Sequence, residues 1–381
     1  MERKLFYEDQ YIKDFTATVI SCTEGKNGFE VILDETAFFP EGGGQPGDTG
    51  FIGNSEVIDT VEKGGEIIHI CKSAGETGKA ECRLDFEKRF SFMQQHTGEH
   101  IVSGIINRRY GFHNVGFHMG SAMIEIDFDG VVPAEDLRSI EQEANSALWQ
   151  NLPIRCWYPT EEELPHVIYR TKRALPWPVR IVQVPEFDSC ACCGVHVART
   201  GEVGLIKLFS VVPLRGGCRI EMSCGARAMK LLNQAFDQNR LVSQAFSAQW
   251  FETGEAARKM NEALSGEKFR MAQLQKRIFE MIAEDYVNFE NVVHFEQDLD
   301  SAQVRMLADA IAQRCDGTVA VFSGTEEEGY AYAMVDHKND LRTFGKEMTA
   351  ALNGRGGGKP NFQQGRVAAK RQEIEAFFAK K

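Results

Sequence analysis

The chain has no run of eighteen apolar residues, so no segment reads as a membrane-spanning helix. Its first residues, MERKLFYEDQY, contain no apolar stretch of the kind that directs secretion. Net positive charge is also missing. The 43 Lys and Arg stand against 55 Asp and Glu, a formal charge of −12. That argues against a protein that coats a polyanion over its whole surface. The ten cysteines (Cys22, Cys71, Cys82, Cys156, Cys190, Cys192, Cys193, Cys218, Cys224 and Cys315) are scattered over 381 residues. They do not form the dense framework of a small secreted domain, and free thiols are expected. These absences point to a soluble cytoplasmic protein of two to four domains.

A local basic stripe still permits nucleic-acid contact. Candidates are Lys88–Arg89, Arg108–Arg109, Arg170–Arg173, and Arg355 with Lys359. For each, a solvated surface is the simpler reading.

Residues 1–85 alternate apolar and polar side chains in TATVISCTEG, GFEVILDET and SEVIDTVEKGGEIIHI. This predicts strands and a small β-barrel-like unit. Between them lies FFPEGGGQPGDTG, Phe38–Gly50. Three glycines in a row are costly inside a strand and fit a tight loop where backbone approaches something closely. The loop carries Glu41, Gln45 and Asp48, with Thr36 just upstream.

From residue 86 the period changes to that of a helix. Phe90, Met93, Ile101, Ile105 and Ile106 recur at helical spacing, and Gly111 supplies a stop. Strands (SAMIEIDF, PVRIVQV) and a helix (PAEDLRSIEQEANSALWQN) then mix to about residue 225. Residues 226–289 carry two apolar stripes broken near Gly254 and Gly266, which predicts a helical hairpin or coiled-coil spacer. Residues 290–381 read as a last α/β unit containing LNGRGGGKPNFQQGR, with a glycine loop expected at Gly354–Gly358.

The predicted helix contains HTGEH. His96 and His100 are four apart and share one face. Downstream, DSCACCGVHV places Cys192 four residues before His196, with Gly194 between. Two such clips together supply three imidazoles and one thiolate, the donor mix that suits zinc. Spacing alone excludes neither Cys190 nor Cys193 as the sulfur ligand. The other histidines have no partner at such spacing, although His118 in GFHMG is a candidate for the same pocket.

The series FFPEGGGQPGDTG, QQHTGEHIVSG, CCGVHVARTGEVG, RGGCRIEMSCGARA and NGRGGGKPNFQQG resembles the alanyl-tRNA editing proteins of the long AlaX type. These are free-standing relatives of the editing and C-terminal domains of alanyl-tRNA synthetase. The resemblance covers nearly the whole chain and is least specific over the helical spacer. It implies a multidomain α+β fold: a glycine-rich β-barrel (1–85), a zinc-containing editing core of the threonyl/alanyl-tRNA synthetase type (86–225), a helical hairpin (226–289), and a DHHA1-like α/β domain (290–381). It also implies hydrolysis of the ester joining serine, or glycine, to the 3′ end of alanine tRNA. No aminoacylation domain is expected. The family's ligand motif selects His96, His100, Cys192 and His196. Cys193 and Val195 depart from it, standing where glycine and threonine are usual.

On this reading Thr36 is the candidate for sensing the serine hydroxyl. Gln45 orients water or the substrate amine, and backbone at Gly43 and Gly44 meets the carbonyl oxygen or the terminal adenosine. Arg355, Gly356, Gly357 and Lys359 are the candidate tRNA contacts, with cations and bare backbone suited to phosphate. The partners expected are mischarged tRNA(Ala) and, through the helical or C-terminal region, a second copy of the chain. The alternative function is a zinc-stabilised tRNA-binding module without catalysis.

Overall fold

The computed structural model describes residues 3–171 and 175–380. Lys172 and Arg173 of the proposed basic stripe lie outside the described residues. Contacts divide the chain into two compact units, Met1–Leu241 and Val242–Lys381.

In the first unit six strands pair in a ring: Asp14–Gly25, Gly28–Leu33, Glu66–Cys71, Ser55–Lys63, Gly50–Ile52 and Gly78–Leu84. Each strand has two partners, so the sheet closes on itself as a barrel. Its interior is filled by the alternate residues of those strands, among them Ala17, Val19, Val31, Leu33, Val57 and Leu84. The glycine-rich run is not part of the barrel wall and forms the connection that precedes Gly50–Ile52.

The helix predicted from residue 86 spans Phe86–Tyr110. The Asp85 side chain accepts a hydrogen bond from Lys88 N at its start, and Gly111 ends it at φ 75°. Every residue from Phe92 to Ile106 is buried, as expected of a helix enclosed on all sides. Two sheets surround it. One has the order Ile206–Leu214, Gly217–Cys224, Ile124–Phe128, Asn114–Met119; the other has Arg155–Trp157, Ile181–Val184, Asp188–Ala191. Phe6, Phe39 and Ile67 from the N-terminal segment share one core with Met93, Ile101, Ile220 and Met222. The barrel segment and the helix-centred segment are therefore packed as one body.

Arg89 is not a surface cation, because its side chain is only 1% exposed. Arg108 and Arg109 both pair with Glu143.

Two helices follow, Gly225–Phe246 and Thr253–Glu284. Gly254 lies at the start of the second, whereas Gly266 lies inside it and does not interrupt it. One glycine costs about 1 kcal/mol in a helix interior, which a helix of 32 residues absorbs.

In the second unit, a five-stranded sheet has the order Val292–Glu296, Val319–Thr325, Gly329–Val335, Phe362–Val367, Gly354–Lys359. Phe279 and Ala283 near the end of the long helix bury against Leu307, Ile311 and Val321. Most of that helix's apolar stripe, including Met271, Leu274 and Met281, stays exposed. The glycine run expected as a loop is instead an edge strand, Gly354–Lys359, paired antiparallel with Phe362–Val367. A Cβ at Gly356 would lie 2.2 Å from the Tyr332 hydroxyl, so the pairing requires glycine there.

Candidate metal centre and substrate cavity

His96 and His100 project from one side of the buried helix. Cys192 and His196 come from the segment after the strand Asp188–Ala191. One ligand atom from each of the four lies within 4.8 Å of the others. The Cys192 sulfur is 3.4 Å from His96 Nε2. Cys190 instead groups with His100 and Asp188. Cys193 belongs to neither set, and its backbone carbonyl accepts a hydrogen bond from the Tyr7 hydroxyl at 2.7 Å.

Each imidazole has a polar neighbour at its far nitrogen. His96 Nδ1 donates to Gln45 Oε1 at 2.9 Å, and the same oxygen accepts from Val195 N at 3.3 Å. His100 Nδ1 stands 3.0 Å from Asp188 Oδ2. His196 Nδ1 meets Thr97 Oγ1 at 3.2 Å. This leaves the three Nε2 atoms facing Cys192, and His196 Nε2 is buried without a hydrogen-bond partner. Buried polar atoms are rarely left unpaired. Three imidazole nitrogens and one sulfur converging in this way make a donor set that fits a tetrahedral metal ion.

The shifts of Cys192 and His196 agree with that reading, whereas at His100 burial is outweighed by Asp188 and Cys192, which raise it well above its ordinary value. Burial alone would push the Cys192 thiol up, but the imidazoles of His96, His100 and His196 outweigh it and hold the thiol well below its ordinary value. Burial and the neighbouring His96 hold His196 neutral. Asp188, despite burial, is kept below the usual carboxylate range by His100 and Arg170. Arg170 grips Asp188 with two hydrogen bonds, Nε to Oδ1 at 2.6 Å and a terminal nitrogen to Oδ2 at 2.9 Å. A chain Arg170–Asp188–His100 thus sets which nitrogen of His100 faces Cys192.

The loop bearing Cys192 is tied down as well. Arg180 donates to the carbonyls of Cys192 and Gly194 at 3.0 and 2.8 Å and lies 4.6 Å over the Tyr7 ring. Gly194 must be glycine, because a Cβ there would come within 2.2 Å of His96 Cε1.

The cluster opens onto a cavity of about 490 Å³, whose walls include Tyr7, Gly43, Glu99, Asn114, Phe117 and Tyr158. Gly42 and Gln45 exchange both backbone hydrogen bonds. Gly43 and Gly44 form the turn between them at φ 62° and 84°. Gly43 lines the cavity, whereas Gly44 packs on Phe117. Gln45 acts on His96 and is not among the residues that line the cavity.

The hydroxyl of Thr36 lies elsewhere. His69 donates Nδ1–H to the Val31 carbonyl at 3.0 Å, so its Nε2 must accept, and the Thr36 hydroxyl donates to it at 2.9 Å. Burial holds His69 neutral, lowering it to about 4. The Thr36 proton is therefore spent inside the protein, away from the cavity wall. His113, not His118, lines the cavity among the described residues. Arg355, Gly356, Gly357 and Lys359 are exposed on the edge strand of the second unit. Sequence spacing did not point to Tyr7, Glu99, Asn114, Asp188, Arg170 or Arg180, all distant in sequence from one clip or both.

Three family models match. Residues 179–221 match the threonyl and alanyl tRNA synthetase second additional domain. Residues 288–380 match the DHHA1 domain, and residues 5–84 match the class II (A) tRNA synthetases. The fold and site thus define a protein of the tRNA-synthetase editing class. The chain is 30% identical to the alanyl-tRNA editing protein AlaX-L of Pyrococcus horikoshii, over 98% of this chain and 96% of that one. It is 25% identical to the alanyl-tRNA editing protein Aarsd1 of Rattus norvegicus over the same shares. The alanine–tRNA ligase of Thermofilum pendens is 26% identical over 96% of this chain and 42% of the ligase. The chain belongs to the alanyl-tRNA editing protein family.

Proposed function

We propose that this protein is a zinc-dependent aminoacyl-tRNA hydrolase that removes serine from mischarged alanine tRNA in the cytoplasm. The observation that carries the reading is the convergence of three imidazoles and the Cys192 sulfur beside a cavity that His96, His100 and Cys192 line. Zinc held there would supply Lewis acidity toward an ester carbonyl or a water. The protein's own groups do the rest. Gln45, Asp188 and Thr97 orient the imidazoles. Arg180 and Tyr7 hold the Cys192–Gly194 loop against the cavity. The Gly43 backbone, bare of side chain, lets the ribose end of the substrate approach closely. An aminoacyl ester is already an activated bond, so positioning and modest polarisation suffice.

The test is deacylation of seryl-, glycyl- and alanyl-tRNA(Ala). Faster loss of the seryl ester than of the alanyl ester is expected. No acceleration of any of the three would favour a zinc-stabilised tRNA-binding module instead.

Arg355 and Lys359 sit at either end of an exposed glycine strand, a surface that a phosphate backbone can follow without steric hindrance. The double variant Arg355→Ala/Lys359→Ala is expected to bind tRNA more weakly, with a salt dependence shallower by roughly two phosphate contacts. An unchanged slope would remove these residues from the tRNA surface.

A further inference from the structure

The cavity holds a carboxylate that the scheme above does not use. Glu99 lies one residue before His100, is 4% exposed, and faces the cavity. It is the only carboxylate lining that cavity among the described residues. Its Oε1 is saturated, accepting from the Ser103 hydroxyl at 2.6 Å and from Asn114 Nδ2 at 2.5 Å. Its Oε2 is directed toward the metal-facing side of the cluster, 3.9 Å from His100 Nε2.

Asn114 strengthens the case independently. A carboxylate only accepts, so the Asn114 amide must turn its NH₂ to Glu99. Its Oδ1 is then left buried without a partner. Asn114 is 6% exposed and also lines the cavity. A spare carboxylate oxygen and a spare amide oxygen thus share one corner. The cavity's two arginines are engaged elsewhere: Arg170 on Asp188, Arg180 on two backbone carbonyls. Buried acceptors of this kind are costly unless a donor meets them. The ligand that suits the corner is a small cation with several N–H donors.

We propose that Glu99 and Asn114 bind the α-ammonium group of the aminoacyl ester. The proposal rests on the editing reading and deepens it. Every free aminoacyl ester carries that ammonium, whereas an N-blocked or peptidyl ester does not. The corner would therefore confine the enzyme to unblocked aminoacyl-tRNA, and would fix the ester relative to the metal centre by its nitrogen.

The test compares two non-hydrolysable ligands. One is the 3′-seryl amide of 3′-amino-3′-deoxyadenosine. The other is the matching glyceric acid amide, in which a hydroxyl replaces the ammonium. Calorimetry on the zinc-loaded and metal-stripped protein should show the amine-bearing ligand bound roughly tenfold or more tightly by wild type. Glu99→Gln keeps the shape and removes the charge, and should abolish that preference while retaining zinc. Asn114→Ala should narrow the preference. It lies outside the helix, so a folding defect in one variant does not remove the test. A Glu99→Gln protein that keeps the preference overturns the assignment, as does one that loses zinc, which would make Glu99 a ligand. If wild type hydrolyses seryl-tRNA while Glu99→Gln keeps the preference, the editing reading stands and only the Glu99 assignment falls. If wild type neither hydrolyses seryl-tRNA nor binds either amide, the editing reading fails and this assignment with it.

Discussion

Cys192→Ala is expected to lose bound zinc on dialysis and to deacylate seryl-tRNA(Ala) at least about a hundredfold more slowly, beyond the ten- to hundredfold typical of removing an outer-shell partner. The sulfur is the only anionic ligand of the four, and it sits 3.4 Å from His96 Nε2. Without it, three neutral imidazoles must hold a dication in a buried site, where an uncompensated charge is expensive. The thiol is already held well below its ordinary value by the three imidazoles, against burial, so the ligand form is present near neutral pH. Cys190→Ala and Cys193→Ala are the informative controls. Burial raises the Cys190 thiol to about 11 and also raises that of Cys193, the direction of inert thiols. Both variants should keep stoichiometric zinc by atomic absorption. A Cys192→Ala protein that retains its zinc, or a Cys193→Ala protein that loses it, would refute the ligand set.

The four-residue cluster was legible in the sequence because two of the contacts are local. His96 and His100 are one helical turn apart, and Cys192 and His196 are held by a turn that Gly194 makes possible. A period of 3.6 residues is enough to see the first clip, and donor chemistry is enough to join it to the second. What fixes those side chains was not legible. Asp188 reaches His100 across 88 positions, and Arg170 reaches Asp188 across another 18; no local period reports either contact. Thr36 is not among the residues that line the cavity, for a related reason. Its neighbours in sequence are the glycine motif, but its hydroxyl is claimed by His69, brought beside it by the closed sheet. The edge strand Gly354–Lys359 escaped notice because strand signals are read from alternating side chains, and four of its six residues have none. By contrast the helix Phe86–Tyr110 carried its own cap, stop and apolar residues, and its limits were readable within a residue or so.

A buried ion pair ties the glycine motif that bears Gln45 to the long helix, and breaking it should have a large effect on stability. Arg89 and Asp48 each have side chains 1% exposed. Arg89 Nε donates to Asp48 Oδ2 at 2.8 Å, and a terminal nitrogen donates both to that oxygen and to the Ala37 carbonyl. Asp48 Oδ2 also accepts from Phe39 N at 2.6 Å. The arginine therefore joins the long helix to both ends of the glycine motif. Arg89→Met leaves the Asp48 carboxylate buried and unpaired, a change worth about 3–5 kcal/mol in comparable sites. The expected result is a lower urea midpoint for the Met1–Leu241 unit. Asp48→Asn should also lower it, but by less, because the amide oxygen still accepts from Phe39 N and Arg89. Replacing both partners with apolar residues, Arg89→Met/Asp48→Leu, should cost less than the two single losses added, since no bare charge remains. Gln45 positions His96, so Arg89→Met should also release zinc at a lower urea concentration than wild type. A loss below about 1 kcal/mol, in the range of a surface pair, would mean that the glycine motif keeps its place without this tie.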